Sequence, residues 1–373
     1  MIAANGFSEG PSQPLGRFLL EHGARRVATI THPLTADGPG EHHLHIVENG
    51  TERTTVRRLP NRPPLTYAFD PAVPVRPPRA DVWFGFNCVS TAQGLVHRSL
   101  RRVDRVIHWN VDFVPDRFGS SVLTGVYDRL DELCCTRADG RVELSEAARL
   151  GRIDRYGLTG KVPVEVIPMG AWVSEAPQAD VGRLGDRRIV FLGSLVERMG
   201  IDSLIDAVGL LRASGTPVVL EIIGRGDLLD RLQRRVIEEN LSDVVVFRGF
   251  VTNFDDVLAI LANASLAIAP YDVDPNSFSH FADPGKLKAY LSVGLPILLT
   301  DVPPNASELE REAGAEIIRP SPEHLAERIE AILGDADRWT QRHCAAQAYA
   351  KKFDWADLLA ERLARFGIVT AGE

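Results

Sequence analysis

Lysine is scarce in this 373-residue chain: of its 42 basic residues only Lys161, Lys286, Lys288, Lys351 and Lys352 are lysines. Fifty acidic residues outnumber the basic ones and leave a net charge of -8. Without a cationic excess the surface cannot displace counterions from a phosphate backbone, so nucleic acid is not an expected partner. Cysteine is rare too: Cys88, Cys134, Cys135 and Cys344 lack zinc-ligand spacing, and the adjacent pair cannot readily bridge itself. Reduced thiols and a cytoplasmic location are expected. No apolar run approaches the roughly 20 residues that span a bilayer, and the start lacks the basic and apolar regions of a signal peptide. His42, His43 and His45 alternate across two faces of one strand, so no metal site is expected there.

What the chain does have is mass for two cores and a strand–helix alternation that starts twice. Met1 to Phe7 reads as a strand entering a small-residue loop, with a helix around Leu15 to His22. Strands follow at Val27–Thr31, His45–Glu48, Thr54–Leu59, Val82–Phe86 and Arg105–Trp109, with a helix at Thr91–Arg101. Residues 168–187 are rich in proline and glycine and read as a linker. A second alternation begins at Ile189 and runs through helices at Asp202–Arg212, Asp227–Glu239, Phe254–Asn263 and Pro284–Val293. The pattern predicts an α/β protein of two doubly wound, Rossmann-like domains facing each other across a cleft, at 1–167 and 188–340, with a helical region at 341–373.

Ligands of doubly wound sheets bind at strand C-terminal ends, which directs attention to three loops of the second half. Gly193 to Gly200 follows one strand, and Gly224-Arg225-Gly226 follows the next, where glycines admit close backbone approach. The third leads into Asp283, Pro284, Gly285, Lys286 and Leu287. There a proline at a helix start, open amides and a first-turn lysine form a cradle for a diphosphate. A surface lysine on a core helix is the plain alternative.

FLGSLVERMG, EIIGRGDLLDRL, VVFRGFV and DPGKLKAYLSVGLPILLTD occur in an order and spacing that resembles family 4 glycosyltransferases of GT-B fold. VIPMGAW and FDWADLLAERL extend the likeness, the latter similar to the helix by which such chains return to their first domain. The resemblance implies a donor pocket lined by Gly193, Ser194, Arg198, Gly224, Gly226, Val251, Asp283, Pro284, Gly285, Lys286 and Leu287. Two family cations fall on Ser194 and Met199, and the family's glutamate pair on Phe281 and Ala289, so all four side chains are absent. Arg198 and Lys286 are the candidate replacements, because a departing nucleoside diphosphate needs its developing charge met.

In the first half, Asp112 and His108 lie near a strand end, where the first can orient an acceptor hydroxyl and the second can serve as a base. The plain readings are a salt bridge from Asp112 to Arg117 and a satisfied core histidine. Ser8, Glu9 and Trp109 complete the expected acceptor site. The resemblance implies a retaining, metal-independent transfer from a GDP- or UDP-linked sugar, with no further cofactor. The first half lacks a basic amphipathic helix of the kind that docks on anionic lipid, so a small polar acceptor of a specialised-metabolite pathway is expected, with a cell-envelope polysaccharide as the other acceptor class. A catalytically silent regulatory homologue and a sugar-nucleotide epimerase are the alternatives.

Overall fold

A computed structural model describes residues 1–5, 10–33, 40–59, 77–115, 117–273 and 280–368. The chain divides into two compact units, Met1–Pro168 with Ala356–Glu373, and Met169–Trp355.

The first unit is built on strands β1 (Ile2–Asn5), β2 (Arg26–His32), β3 (Glu41–Glu48), β4 (Thr51–Arg58), β5 (Ala80–Gly85), β6 (Val103–Asn110), β7 (Gly140–Glu143) and β8 (Val164–Val166). Their order is β4-β3-β2-β1-β5-β6-β7-β8. From β2 to β8 the pairs are parallel, and strands in the middle such as β1 are nearly wholly buried, as a sheet covered on both faces requires. At the other end β3 and β4 form an antiparallel hairpin. Its turn is Asn49-Gly50, with φ of 50° and 75°, the left-handed pair that a two-residue hairpin needs. The strand–helix alternation predicts a parallel sheet, and this end departs from it in a hairpin whose outer strand β4 is exposed throughout while β3 is half-buried. Helices α1 (Ser12–Glu21), α2 (Cys88–Ser99), α3 (Ser121–Arg137) and α4 (Glu146–Tyr156) accompany the strands. Local chemistry fixes their ends: Asn87 accepts from Ser90 N at the start of α2, Ser145 accepts from Ala148 N at the start of α4, and Gly157 closes α4 at φ 61°.

The second unit alternates without interruption: β9 (Arg188–Leu192), α5 (Ile201–Ala213), β10 (Val219–Ile223), α6 (Leu229–Glu238), β11 (Val245–Gly249), α7 (Phe254–Ala262), β12 (Leu266–Ala269), α8 (Gly285–Ser292), β13 (Ile297–Thr300), α9 (Ala306–Glu312), β14 (Glu316–Ile318), α10 (Pro322–Leu333) and α11 (Ala336–Ala350). All six strands are parallel, in the order β11-β10-β9-β12-β13-β14. The order reverses between β9 and β12, which opens a crevice at their C-terminal ends. Beneath it Phe191, Leu220, Ile222, Leu266, Ile268 and Leu298 are completely buried.

Two expected boundaries move. Residues 168–187 are not a bare linker: Ala176, Ala179 and Leu184 pack into the second unit's core, and Val181–Asp186 forms a 3-10 turn. Residues 341–355 also stay with that unit, where Trp339 Nε1 of α11 donates to Ser265 O at 2.5 Å. The chain rejoins the first unit from Ala356 onward, along helix α12 (Trp355–Arg365). There Arg362 and Arg365 reach Glu165 at 3.3 and 3.2 Å. Phe366 seals against Gly140, where any Cβ would stand 2.7 Å from its ring.

Candidate functional site

Three loops converge at the strand ends of the second unit, and their backbones touch. Gly193 N donates to Ile223 O, Leu195 N to Arg225 O and Gly224 N to Gly249 O, at 2.9, 2.9 and 2.8 Å. A Cβ at Gly224 (φ 146°) would lie 1.9 Å from Gly193 O, and one at Gly200 (φ 65°) would lie 1.7 Å from Pro270 O. Only glycine fits either place. Gly226 packs against the Leu195 backbone in the same way. Ser194 is exposed, while Arg198 is half-buried in the 3-10 turn Glu197–Met199 and its carbonyl accepts from Asp272 N at 3.1 Å.

Lys286 enters this floor from the first turn of α8. Its Nζ lies 4.5 Å from the ring centres of both Phe191 and Tyr271 and 3.5 Å from Met199 Sδ. A Cβ on Gly193 would stand 3.1 Å from it. Among the described residues no carboxylate pairs with this ammonium. Burial, reinforced by the charge of Arg198, pulls its pKa down to about 7. Pro284 starts α8 with no side-chain cap, and no acid stands in the first turn, so the helix directs uncapped amides and the positive end of its dipole to the same place. Gly285 contributes backbone there, whereas Leu287 is fully buried in the core.

Asp283 does something other than what the sequence suggests. Its Oδ2 accepts from Met169 N at 2.6 Å and its Oδ1 from Lys288 Nζ at 2.9 Å. Lys288 is buried, with its ammonium 3.8 Å above the Phe353 ring. Both oxygens of Asp283 thus brace the loop. On the opposite flank Val251 is half-buried, and beside it the guanidinium of Arg225 lies 4.5 Å above the exposed ring of Phe250.

In the first unit, His108 and Trp109 are completely buried. His108 Nδ1 bonds Thr91 Oγ1 at 2.7 Å and its Nε2 bonds Asp131 Oδ1 at 3.0 Å. Asp131 also takes Arg152 Nε at 2.9 Å, and Arg152 reaches Glu143 Oε2 at 2.6 Å and the Asp112 carbonyl at 3.1 Å. Burial lowers the His108 pKa against the pull of Asp131. It is a neutral core histidine, which corrects its assignment as a base. Trp109 stacks on Phe86 with ring centres 4.9 Å apart, so it is core and presents no face to an acceptor. Asp112 is paired with Arg117, its side chain 37% exposed and so still within reach of a ligand. Ser8 and Glu9 lie outside the described residues. His108, Asp131 and Cys135 form one group with metal-ligand spacing, but Arg152 already supplies the cation at Asp131.

The family described as glycosyl transferases, group 1, matches residues 186–335, the part that carries the glycine loops and Lys286. That segment resembles the group 1 glycosyltransferase domain. A GDP-mannose-dependent alpha-(1-6)-phosphatidylinositol dimannoside mannosyltransferase of Mycobacterium tuberculosis is 26% identical over 245 residues, 64% of this chain. The match spans 58% of that relative's length. Among solved structures, sucrose-phosphate synthase from Thermosynechococcus elongatus superposes with a TM-score of 0.71 at 15% identity, covering 98% of each chain. HepE from Anabaena, solved in complex with UDP, gives 0.66 at 14% identity, covering 98% of this chain and 99% of its own. No helix among the described residues is long and apolar enough to cross a membrane.

Several parts of this floor escape a reading by motif. Phe191 and Tyr271 sit in apolar strands or just beyond one, and nothing local marks them as walls around an ammonium. Arg225 and Phe250 are 25 positions apart in the sequence and meet only because β10 and β11 are neighbours. Tyr290 reads as one more core residue of α8, yet its hydroxyl accepts from Leu192 N at 2.8 Å.

Proposed function

We propose that this protein transfers a sugar from a GDP- or UDP-linked donor to a small polar acceptor, with retention of anomeric configuration and without a bound divalent cation. The observation that carries the reading is Lys286: a desolvated ammonium with no carboxylate partner among the described residues, set at the mouth of a glycine-lined crevice. A buried charge of this kind is costly unless something anionic joins it. The diphosphate of a sugar nucleotide is suitable, since its charge rises as the glycosidic bond breaks and Lys286, Arg198 and the α8 amides meet that charge in a water-poor site. These protein cations take the part that a metal ion plays elsewhere.

The group 1 match supports transfer, and the mannosyltransferase relative and UDP-bound HepE illustrate the two donor bases. Phe250 with Arg225 above it offers a flat, cationic edge for the base. Asp112 is the acceptor-side group, positioned by Arg117 and by the Arg152 contact to its own carbonyl. A cytoplasmic, specialised-metabolite setting suits a polar acceptor.

A thermal-shift and calorimetric screen with UDP, GDP, ADP, dTDP and CDP, with and without EDTA, tests the donor half. One diphosphate is expected to stabilise the protein equally in both conditions, by about 2.7 kcal/mol at 100 times its Kd. No shift with any of the five would overturn the donor assignment, and a shift lost on adding EDTA would overturn metal independence. The matching sugar nucleotide, assayed with an acceptor panel, then reports transfer and product anomer.

A further inference from the structure

The crevice between β9 and β12 is held open by a specific device. The two strands pair at Leu266 with Ile189 and at Ala267 with Val190, and that pairing ends there. Beyond it Leu192 still pairs with Ile223 on the β10 side, while its N–H is taken by the Tyr290 hydroxyl at 2.8 Å. The same hydroxyl lies 3.5 Å from Ile268 O of β12. It therefore occupies the place of the missing rung, accepting from one strand and facing the carbonyl of the other. Tyr290 is fully buried, and the residue after its hydrogen-bonded partner Leu192 is Gly193. On α8, Tyr290 stands one turn beyond Lys286, so both side chains leave the same helix face.

We infer that Tyr290 is the positioning residue of the diphosphate site. Its phenol wedges β9 from β12 and fixes the Leu192–Gly193 backbone, so that the glycine loop and the Lys286 ammonium meet at one spacing. The inference rests on the donor reading above and adds to it a residue that touches no ligand. One helix thereby sets both the charge of the site and the shape of its floor. An apolar ring would fill the same core volume but leave the Leu192 N–H without an acceptor and release the loop.

Tyr290→Phe tests this directly, with Ser292→Ala as the control. Ser292 is equally buried on α8, but its hydroxyl bonds Ala289 O within the helix. In the apo protein, hydrogen exchange of the 191–196 segment is expected to rise in Tyr290→Phe and stay at the wild-type rate in Ser292→Ala. Unchanged exchange would overturn the bridge whatever the ligand is. By calorimetry with UDP and GDP, whichever binds the wild type is expected to bind Tyr290→Phe at least fivefold more weakly and Ser292→Ala within twofold. Equal Kd for wild type and Tyr290→Phe would overturn the positioning role while leaving the donor assignment standing. Failure of the wild type to bind either nucleotide would overturn that assignment and this inference with it.

Discussion

The Lys286 ammonium lies 3.5 Å from the Met199 sulfur, so the cation that the family resemblance leads one to seek at position 199 arrives there from a different element. Methionine is a soft, uncharged neighbour that lets a lysine approach without repulsion. The remaining walls are the π-faces of Phe191 and Tyr271, which attract a cation without neutralising it. In the proposed function this ammonium meets the donor diphosphate. Lys286→Met should weaken binding of the cognate nucleoside diphosphate by about 2 to 4 kcal/mol, as loss of a buried charge-assisted contact does. The same change should raise the Tm of the apo protein by about 2 to 4 °C, because ~1 kcal/mol of desolvation cost disappears. Calorimetry and a melting curve on one preparation check both signs. Lower stability together with unchanged affinity would make Lys286 an ordinary structural residue.

The lowered pKa gives the site a pH dependence of definite sign. Lys286 titrates at about 7 in the folded apo protein, against 10.5 for an ordinary lysine. An unfolded chain thus keeps the proton between those values while the folded one releases it. Lysine burial opposes folding most at acid pH, and the penalty fades as pH rises from 7 towards 10.5. In the proposed function the diphosphate binds the protonated form, so affinity should fall by up to about tenfold per unit as pH rises above 7, with uptake of a proton on binding. Calorimetry in buffers of different ionisation enthalpy at pH 8 measures that uptake directly. Arg198 does not lose its charge in this range, and Asp283 is engaged by Lys288, so Lys286→Met should abolish the dependence.

How much of this was legible beforehand depended on whether a residue's job is local. Backbone demands are local: Gly193, Gly200 and Gly224 stand where strand ends turn sharply, and Pro284 marks the start of α8, so the sequence motifs find them. The alternation of apolar strands and amphipathic helices likewise predicts the second unit's order. Segment 113–167 hides its elements, because α3 and α4 carry buried charges such as Asp131 and Arg152 in place of a clean apolar stripe. Side-chain destinations were the least legible. Asp283 looks like a ligand group and is a brace, since its partners Met169 and Lys288 come together only through the fold. His108 ends in a network whose other members lie 17 to 44 positions away, and no spacing rule announces it.

That network makes His108 a stability residue. Its two nitrogens satisfy Thr91 and Asp131, and Asp131 in turn holds Arg152. Replacing it with Ala removes one hydrogen bond from each of two buried groups, Thr91 keeping Gly85 O and Asp131 keeping Arg152, and opens a cavity, at a cost of about 2 to 4 kcal/mol. Denaturant unfolding should show that loss, while turnover per folded molecule at low temperature stays within about threefold of wild type. A fall of a hundredfold or more in a fully folded variant would return His108 to the chemistry.

Asp112 is the acceptor-side group of the proposed function, and its carboxylate is 37% exposed. Arg117 holds one oxygen, and Arg152 fixes the backbone through the Asp112 carbonyl, so the side chain presents a defined direction to solvent. A carboxylate held in that way can accept a hydrogen bond from an incoming hydroxyl and orient it. Asp112→Asn preserves shape and the backbone contact but weakens the pull on that hydroxyl's proton. Turnover should drop by about 10² or more, the scale of a positioned acid–base group, with the nucleoside diphosphate Kd unchanged. The control is Arg117→Met, which removes the cation and leaves the carboxylate in place. If Asp112 acts on the acceptor, Arg117→Met should retain more activity than Asp112→Asn. If Asp112 serves only its ion pair, the two variants should lose stability alike and keep wild-type turnover.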